Sequence, residues 1–220
     1  MSGNLNQIDE RSALRMIREV IPNPRAVTVN YVAASVDPSG LSSGQALTLQ
    51  AAASGLMLRC ARKLTLVLTD ASGGGGGLSV TVEFFGHRFG KPISERVTTT
   101  CTSGAATTST STLVFDQVTS VVVRSISGAA SGDALTCGIS GDGLGLSFPI
   151  DKVTDVLSLV KIVSGVEQAP TAISSTTVDV ANSSFNHGGT ITAANDTFVV
   201  TYLKTIKFDA PGLGNNGVFA

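Results

Sequence analysis

The chain contains no tryptophan and only two tyrosines, and aromatic residues make up 5% of its 220 positions. A sugar-stacking surface needs exposed aromatic platforms, and only Phe84, Phe85 and Phe89 cluster. Charge is also scarce. Charged residues are 14% of the chain, against about 25% in an average soluble protein. The 15 basic and 16 acidic residues nearly cancel, leaving a net charge of −1. That balance excludes the broad basic field of a nucleic-acid binder. The one dense basic cluster, Arg59, Arg62 and Lys63, reads as a solvated strand end or a salt-bridged contact with a partner subunit. No apolar run approaches the length of a membrane-spanning helix, and the polar, charged opening MSGNLNQIDERSALRMIREV carries no signal-peptide pattern.

Three cysteines, Cys60, Cys101 and Cys137, are widely spaced and include no CxxC pair. Zinc binding and a dense disulfide framework are therefore not expected. The thiols are read as reduced small hydrophobes in an intracellular assembly environment. The two histidines, His87 and His187, lie in glycine-rich stretches, and neither GxSxG nor HExxH occurs. The five glycines from Gly73 to Gly77 run into Leu78 and a strand pattern. A phosphate-binding loop needs a lysine and a Ser/Thr opening a helix there. GDGLG, residues 141 to 145, has too few oxygens at ligand spacing for calcium. Asn182 and Asn195 match glycosylation sequons and, without a secretion signal, are read as chance matches. No enzymatic activity, cofactor or metal is expected.

What is abundant is glycine, serine, threonine and strand-period alternation. In LSVTVEFFGHRFGKPISERVTTT (78–100), Leu78, Val80, Val82 and Phe84 alternate with Ser79, Thr81, Glu83 and Phe85. Successive strand side chains point to opposite faces, so the segment is a hairpin arm with one apolar and one wet face. Leu64, Leu66 and Leu68 mark another strand, as do AVTVNYVAA, TSVVVRSIS and DTFVVTYLKTIKF. Residues 151–166 fit either period and are read as strand. Many short strands with Gly and Ser turns predict an all-β protein, a β-sandwich of jelly-roll-like or Ig-like kind. It is expected to span 26–208 as one domain, with a split near Pro149 as the alternative.

Both ends are expected to differ from this body. Residues 1–25 read as an N-terminal arm with a short helix near 9–21, capped by Asp9 and ended by Pro22 and Pro24. Its apolar stripe is Ala13, Ile17 and Val20, with Leu14 and Ile21 beside it. It could pack on its own β domain or dock on a neighbour. Residues 209–220 read as an extended, turn-rich tail. Ala13, Leu14, Ile17, Val20 and Phe85 are the candidate partner-binding residues. For Phe85, a place in a two-sided core is the competing reading.

VEFFGHRFGKPISERV resembles a strand–turn–strand pattern of tailed-bacteriophage virion proteins, "TVTG" followed by "D-x-x-G-x-P" and "I/V-x-E-x-I/V". Phe85 and His87 depart from the usual small and acidic residues. RAVTV (25–29), ISGDGLGLSFPI (139–150) and GTITAANDTFVVTYL (189–203) are similar to further pieces of the same pattern, in order. The family is that of capsid decoration, or cement, proteins and related virion subunits. The resemblance implies a β-sandwich without a cofactor on the virion's capsid surface, assembled in the host cytoplasm. Its implied partners are the major capsid protein and further copies of itself, as a homotrimer, with no nucleic acid and no membrane. The alternative function is a tail or fibre β-sandwich module that binds a host receptor or carbohydrate.

Overall fold

The computed structural model describes residues 12–50, 55–71, 77–102, 104–188, 191 and 196–207. The strands are β1 (Ser12–Pro22), β2 (Thr28–Val36), β3 (Leu56–Thr69), β4 (Leu78–Arg88), β5 (Lys91–Cys101), β6 (Ala106–Ser127) and β7 (Ala134–Ile139). They continue with β8 (Leu144–Gly145), β9 (Val156–Val163), β10 (Val166–Glu167), β11 (Val178–Asp179), β12 (Ser184–Phe185) and β13 (Asp196–Lys207). Among the described residues there is no α-helix, only two single 3₁₀ turns at Pro38–Gly40 and Val153–Asp155. The protein is all-β, built from antiparallel sheets.

The larger sheet has six strands in the order β2-β7-β3-β6-β4-β5. Its β4–β5 hairpin has the alternation the sequence shows. Leu78, Val80, Val82 and Phe84 are fully buried, and the residues between them are half-buried. The turn is Phe89–Gly90, with φ of 52° and 72°. Positive φ at both central residues matches the twist of a two-residue hairpin. The Asp116 carboxylate accepts the Phe89 N–H at 2.6 Å, and Arg88 stacks 3.8 Å over the Phe89 ring, holding a non-glycine residue in that region.

The 22-residue β6 pairs with β3 through its first half and with β4 through its second. A register shift at Phe85/Gly86 lets the backbone of β6 come close, and a Cβ on Gly86 would overlap the Gln117 carbonyl oxygen. The Thr99 hydroxyl on β5 donates to the Leu66 carbonyl on β3 at 3.3 Å. The sheet therefore curls over one core that includes Leu64, Leu66, Val82, Phe84 and Phe115. The phenyl rings of Phe84 and Phe115 meet edge to face, 6.4 Å apart.

A second core lies between a four-stranded sheet, ordered β1-β13-β9-β10, and a small sheet, ordered β11-β12-β8. Ile21, Leu159, Phe198, Val200 and Tyr202 from the first meet Leu144, Leu146, Val178 and Phe185 from the second. Residues 156–163 are strand, as expected.

The N-terminal helix expected near 9–21 is not formed. Residues 12–22 are a strand paired with β13 along its whole length, from Ser12↔Lys207 to Pro22↔Thr197. The segment also admits a period of two. Ile17, Glu19 and Ile21 turn inward while Leu14, Met16 and Val20 turn outward. Neighbouring β13 supplies both a hydrogen-bond ladder and the apolar partners Val200 and Tyr202, which outweigh a weak helical preference. Asp9 and the tail 209–220 lie outside the described residues.

Two buried arginines hold connecting chain against the sheets. Arg62 is 1% exposed and is not a solvated strand end. Its Nε donates to the Ser140 carbonyl at 3.0 Å, Nη2 donates to the same oxygen, and Nη1 reaches the Arg25 carbonyl at 2.8 Å. Arg88, at the hairpin tip, donates to Asp116 at 2.7 Å. Its Nη2 faces the carbonyls of Leu146, Ser183 and Asn182 at 2.9, 3.0 and 3.2 Å. Lys63 pairs with Asp179 at 3.6 Å.

Replacing Arg62 with methionine keeps bulk but leaves the Ser140 and Arg25 carbonyls without their donor. Orphaned buried acceptors cost about 1–3 kcal/mol each. Urea unfolding is expected to show a loss of roughly 2–4 kcal/mol. An unchanged midpoint would show that Arg62 does not carry this junction.

Candidate functional site

The two large sheets present different outer faces. On the six-stranded sheet the outer face is polar. Hydroxyls pair across the hairpin at Thr81–Thr98 (2.8 Å) and Ser79–Thr100 (3.1 Å). Glu83 accepts from Arg124 at 2.6 Å and from Arg96 at 3.2 Å, and these partners hold its carboxyl below the usual range although burial opposes them. Phe85 sits half-buried on this face with the Arg124 guanidinium 5.6 Å from its ring centroid. It belongs to a wet surface, apart from the other candidate residues.

The four-stranded sheet is the reverse. Antiparallel partners share a face, so its outer surface reads as rows across β1, β13 and β9. One row is Val20–Val199–Val160, a second is Arg18–Thr201–Ser158, and Met16 stands beside Leu203. Leu14 and Met16 are 70% and 66% exposed, and Val20 is 46% exposed. Leu157, 49% exposed, extends the exposed apolar surface along β9. The exposed apolar side chains are split by the Arg18–Thr201–Ser158 row, and Val199 is buried between its neighbours; exposed apolar groups gathered on one sheet face are a feature of interaction sites. β1 is also the sheet's edge, where unpaired backbone groups can accept another strand.

Two of the expected partner-binding residues, Leu14 and Val20, stand on this face. Ile17 turns inward and packs against the second core. Ala13 is described only as a ladder position opposite Ile206. Met16, Leu157 and Leu203 were missed. A period-two reading of Leu14, Met16 and Val20 finds the first of these, and nothing local marks the others.

Beside this sheet a cleft of about 620 Å³ opens between the end of β1 and the start of β3, lined by Glu19, Pro22, Met57, Cys60, Arg88 and Ser147 among others. Its polar groups bind one another. Glu19 accepts from the Ser147 amide (2.9 Å), the Ser147 hydroxyl (2.8 Å) and the Tyr202 hydroxyl (2.9 Å). Burial and the Glu19 charge push the Tyr202 phenol up. No group of three His, Cys, Asp or Glu side chains that could hold a metal ion occurs among the described residues. Comparison with protein-family models, with characterised proteins and with solved structures finds no match to this chain.

All three thiols are free, with Cys101 and Cys137 buried and Cys60 half-buried at the cleft wall. Burial pushes the Cys137 thiol up to about 12. It also raises Cys60, against the pull of the neighbouring Arg62. Since the thiolate is the reactive species, mass spectrometry after brief native alkylation is expected to find slow modification at Cys60 and none at Cys137. Modification of Cys137 ahead of Cys60 would contradict this placement.

His187 is buried with its ring 4.5 Å from that of Phe198, close to the Lys161–Asp196 pair. Burial first, and Lys161 next, hold it below its ordinary value of 6.5, while the Asp196 charge opposes them. Above that value both folded and unfolded chains are neutral here. As pH falls through about 6.5 the unfolded chain takes the proton first, so folded stability declines. His187→Gln is expected to flatten the stability profile between about pH 7 and pH 5. Identical profiles would remove His187 as the cause.

Proposed function

We propose that the chain is a non-enzymatic structural subunit of an assembled particle, and that the particle is a tailed-bacteriophage virion carrying it as a capsid decoration protein. The observation that carries this reading is the contrast between a hydroxyl-coated sheet suited to water and an apolar sheet face suited to burial. Burying a Leu, Met or Val side chain is worth about 1.5–3 kcal/mol, and symmetric repetition on a particle multiplies weak contacts. With few charges on the chain, little desolvation opposes docking. The resemblance of the β4–β5 hairpin and later segments to virion proteins supplies the narrower assignment. In this reading the partners are the major capsid protein and sibling copies, and the site of action is the capsid surface. The curled six-stranded sheet, with β6 passing from one layer to the other, is read as a sandwich of jelly-roll-like or Ig-like kind.

The test is binding of labelled protein to expanded capsids. Saturation at a fixed copy number is expected. The double variant Leu14→Lys, Val20→Lys is expected to lower occupancy by at least about tenfold, since each 1.4 kcal/mol is a factor of ten. Thr98→Lys, on the wet face, is expected to leave occupancy unchanged. Absence of capsid binding, or equal loss in both variants, would sink the proposal.

A further inference from the structure

We infer that the free edge of β1 pairs with the same edge of a second copy. The two strands run antiparallel about a two-fold axis that passes between the two Ile17 residues, perpendicular to the sheet. The four-stranded sheets of both chains then continue as one sheet. Nothing in this pairing depends on a capsid.

The backbone leaves the edge ready for a strand. The Asn23 N–H donates to the Asp196 carbonyl at 2.8 Å. These two residues continue the β1–β13 register, in which Pro22 lies opposite Thr197. Hydrogen-bonded and non-hydrogen-bonded pairs alternate along an antiparallel ladder. The odd-numbered residues of β1 therefore turn their N–H and C=O groups to β13. Those of Leu14, Met16, Arg18 and Val20 point out of the free edge, where no strand pairs with them among the described residues. Pro22 is at such an outward position, so its missing N–H takes nothing from the β1–β13 ladder. No proline or bulge interrupts Ser12–Ile21, although these devices blunt exposed edges.

Side chains select the register. Directly opposite residues share a face, and a two-fold axis perpendicular to the sheet keeps inner face with inner face. With the axis at Ile17, Arg15 of each copy lies opposite Glu19 of the other. Leu14 lies opposite Val20, and Met16 opposite Arg18, whose aliphatic stem packs against apolar neighbours. In its own chain Arg15 is exposed, stands across from Lys204 and forms no ion pair among the described residues. Like charges directly opposite are unfavourable. The chain's own Glu19 is four residues along the strand, about 13 Å away, so the second copy supplies the missing counter-charge. Inward-turned charges can blunt an edge, but here they have opposite signs and meet. An axis at Met16 sets Glu19 opposite Ala13 and Arg15 opposite Ile17. An axis at Arg18 sets Arg18 against itself and Glu19 against Ile17. Neither brings opposite charges together. The two Arg18 side chains become diagonal neighbours, about 7–8 Å apart on the outer face, where water and salt screen them.

Leu14, Met16, Arg18 and Val20 of each copy exchange both backbone bonds with the other, and each Ser12 N–H reaches a Pro22 carbonyl. That gives about ten hydrogen bonds, the number an ordinary interface carries. The proline falls at the ladder's end, where its missing N–H matters least. The cleft lined by Glu19, Pro22 and Met57 opens beside that end of β1 and gives residues 12–15 of the second copy a place to lie. The pairing closes at two copies, where the virion resemblance implies three.

Sedimentation equilibrium of the full chain at micromolar concentration, without capsids, tests this. The wild type is expected to be a dimer. Arg15→Glu sets two carboxylates opposite each other across the axis and is expected to raise the dissociation constant by at least about tenfold. Within the chain it gives Lys204 an opposite charge, so circular dichroism is expected to show a retained fold. Leu14→Glu with Val20→Lys, and Leu14→Lys with Val20→Lys, remove the same apolar groups but place opposite or like charges across the axis. The first pair is expected to dimerise at least about tenfold more tightly than the second. In one chain these positions are about 20 Å apart, so an effect of sign arises between chains. Met16→Pro deletes an outward N–H, spares the β1–β13 ladder and is expected to give a folded monomer. A wild type that is not a dimer, or a folded Met16→Pro dimer, overturns the inference. A dimer indifferent to Arg15→Glu, or equal affinity of the two double variants, overturns the register. The decoration reading is judged separately: a dimer that binds no capsid refutes that reading alone, and a capsid-binding monomer refutes this pairing alone.

Discussion

Two guanidinium groups removed from water set the terms for the rest of the structure. A buried Arg stays charged and must direct its N–H groups at acceptors. Arg62 meets that demand with backbone carbonyls of Arg25 and Ser140, the chain entering β2 and the chain leaving β7. Arg88 meets it with Asp116 and with carbonyls near β8 and β12. Irregular backbone buried at a junction has its own unpaired carbonyls. Each deficit answers the other, and the arginines thereby tie the curled sheet to the second core.

That tie has a consequence for the surface. With Arg88 clamping the hairpin tip to the chain after β8 and between β11 and β12, the small sheet is held against the inner side of β13 and β9. Ile17, Glu19 and Ile21 of β1 must then face inward, and Leu14, Met16 and Val20 are left in water. The wet face of the six-stranded sheet has no such residue pattern, because its threonine and serine hydroxyls satisfy one another across the hairpin. The apolar outer face is therefore a product of how the inner face is satisfied. Its low charge makes it cheap to cover.

The hairpin at 78–101 was legible because its alternation is strict and its turn is short, so neighbouring residues decide it. The β9 segment was legible for its β-branched residues. The 12–22 strand was not. Ala13, Ile17 and Val20 fit a helix as well as Ile17, Glu19 and Ile21 fit a strand, and the deciding partner, β13, lies about 180 residues away. Arg62 was misread for a related reason. A cluster of basic residues beside a strand ordinarily faces solvent, and only the fold brings the Ser140 and Arg25 carbonyls to it. Phe85 was placed on the right face by parity, yet its partner Arg124 lies on another strand.

The sequence by itself determined the all-β class, the positions of the long hairpin and most strands, and the poverty of charge. These follow from periods of two residues and from composition, which act over a few neighbours. Tertiary structure alone decided that the N-terminal segment is a strand, that two cores form instead of one, and that one sheet face stays apolar in water. Those outcomes depend on which distant strand supplies hydrogen bonds and apolar partners, and pairing between residues far apart in the chain leaves no local signature.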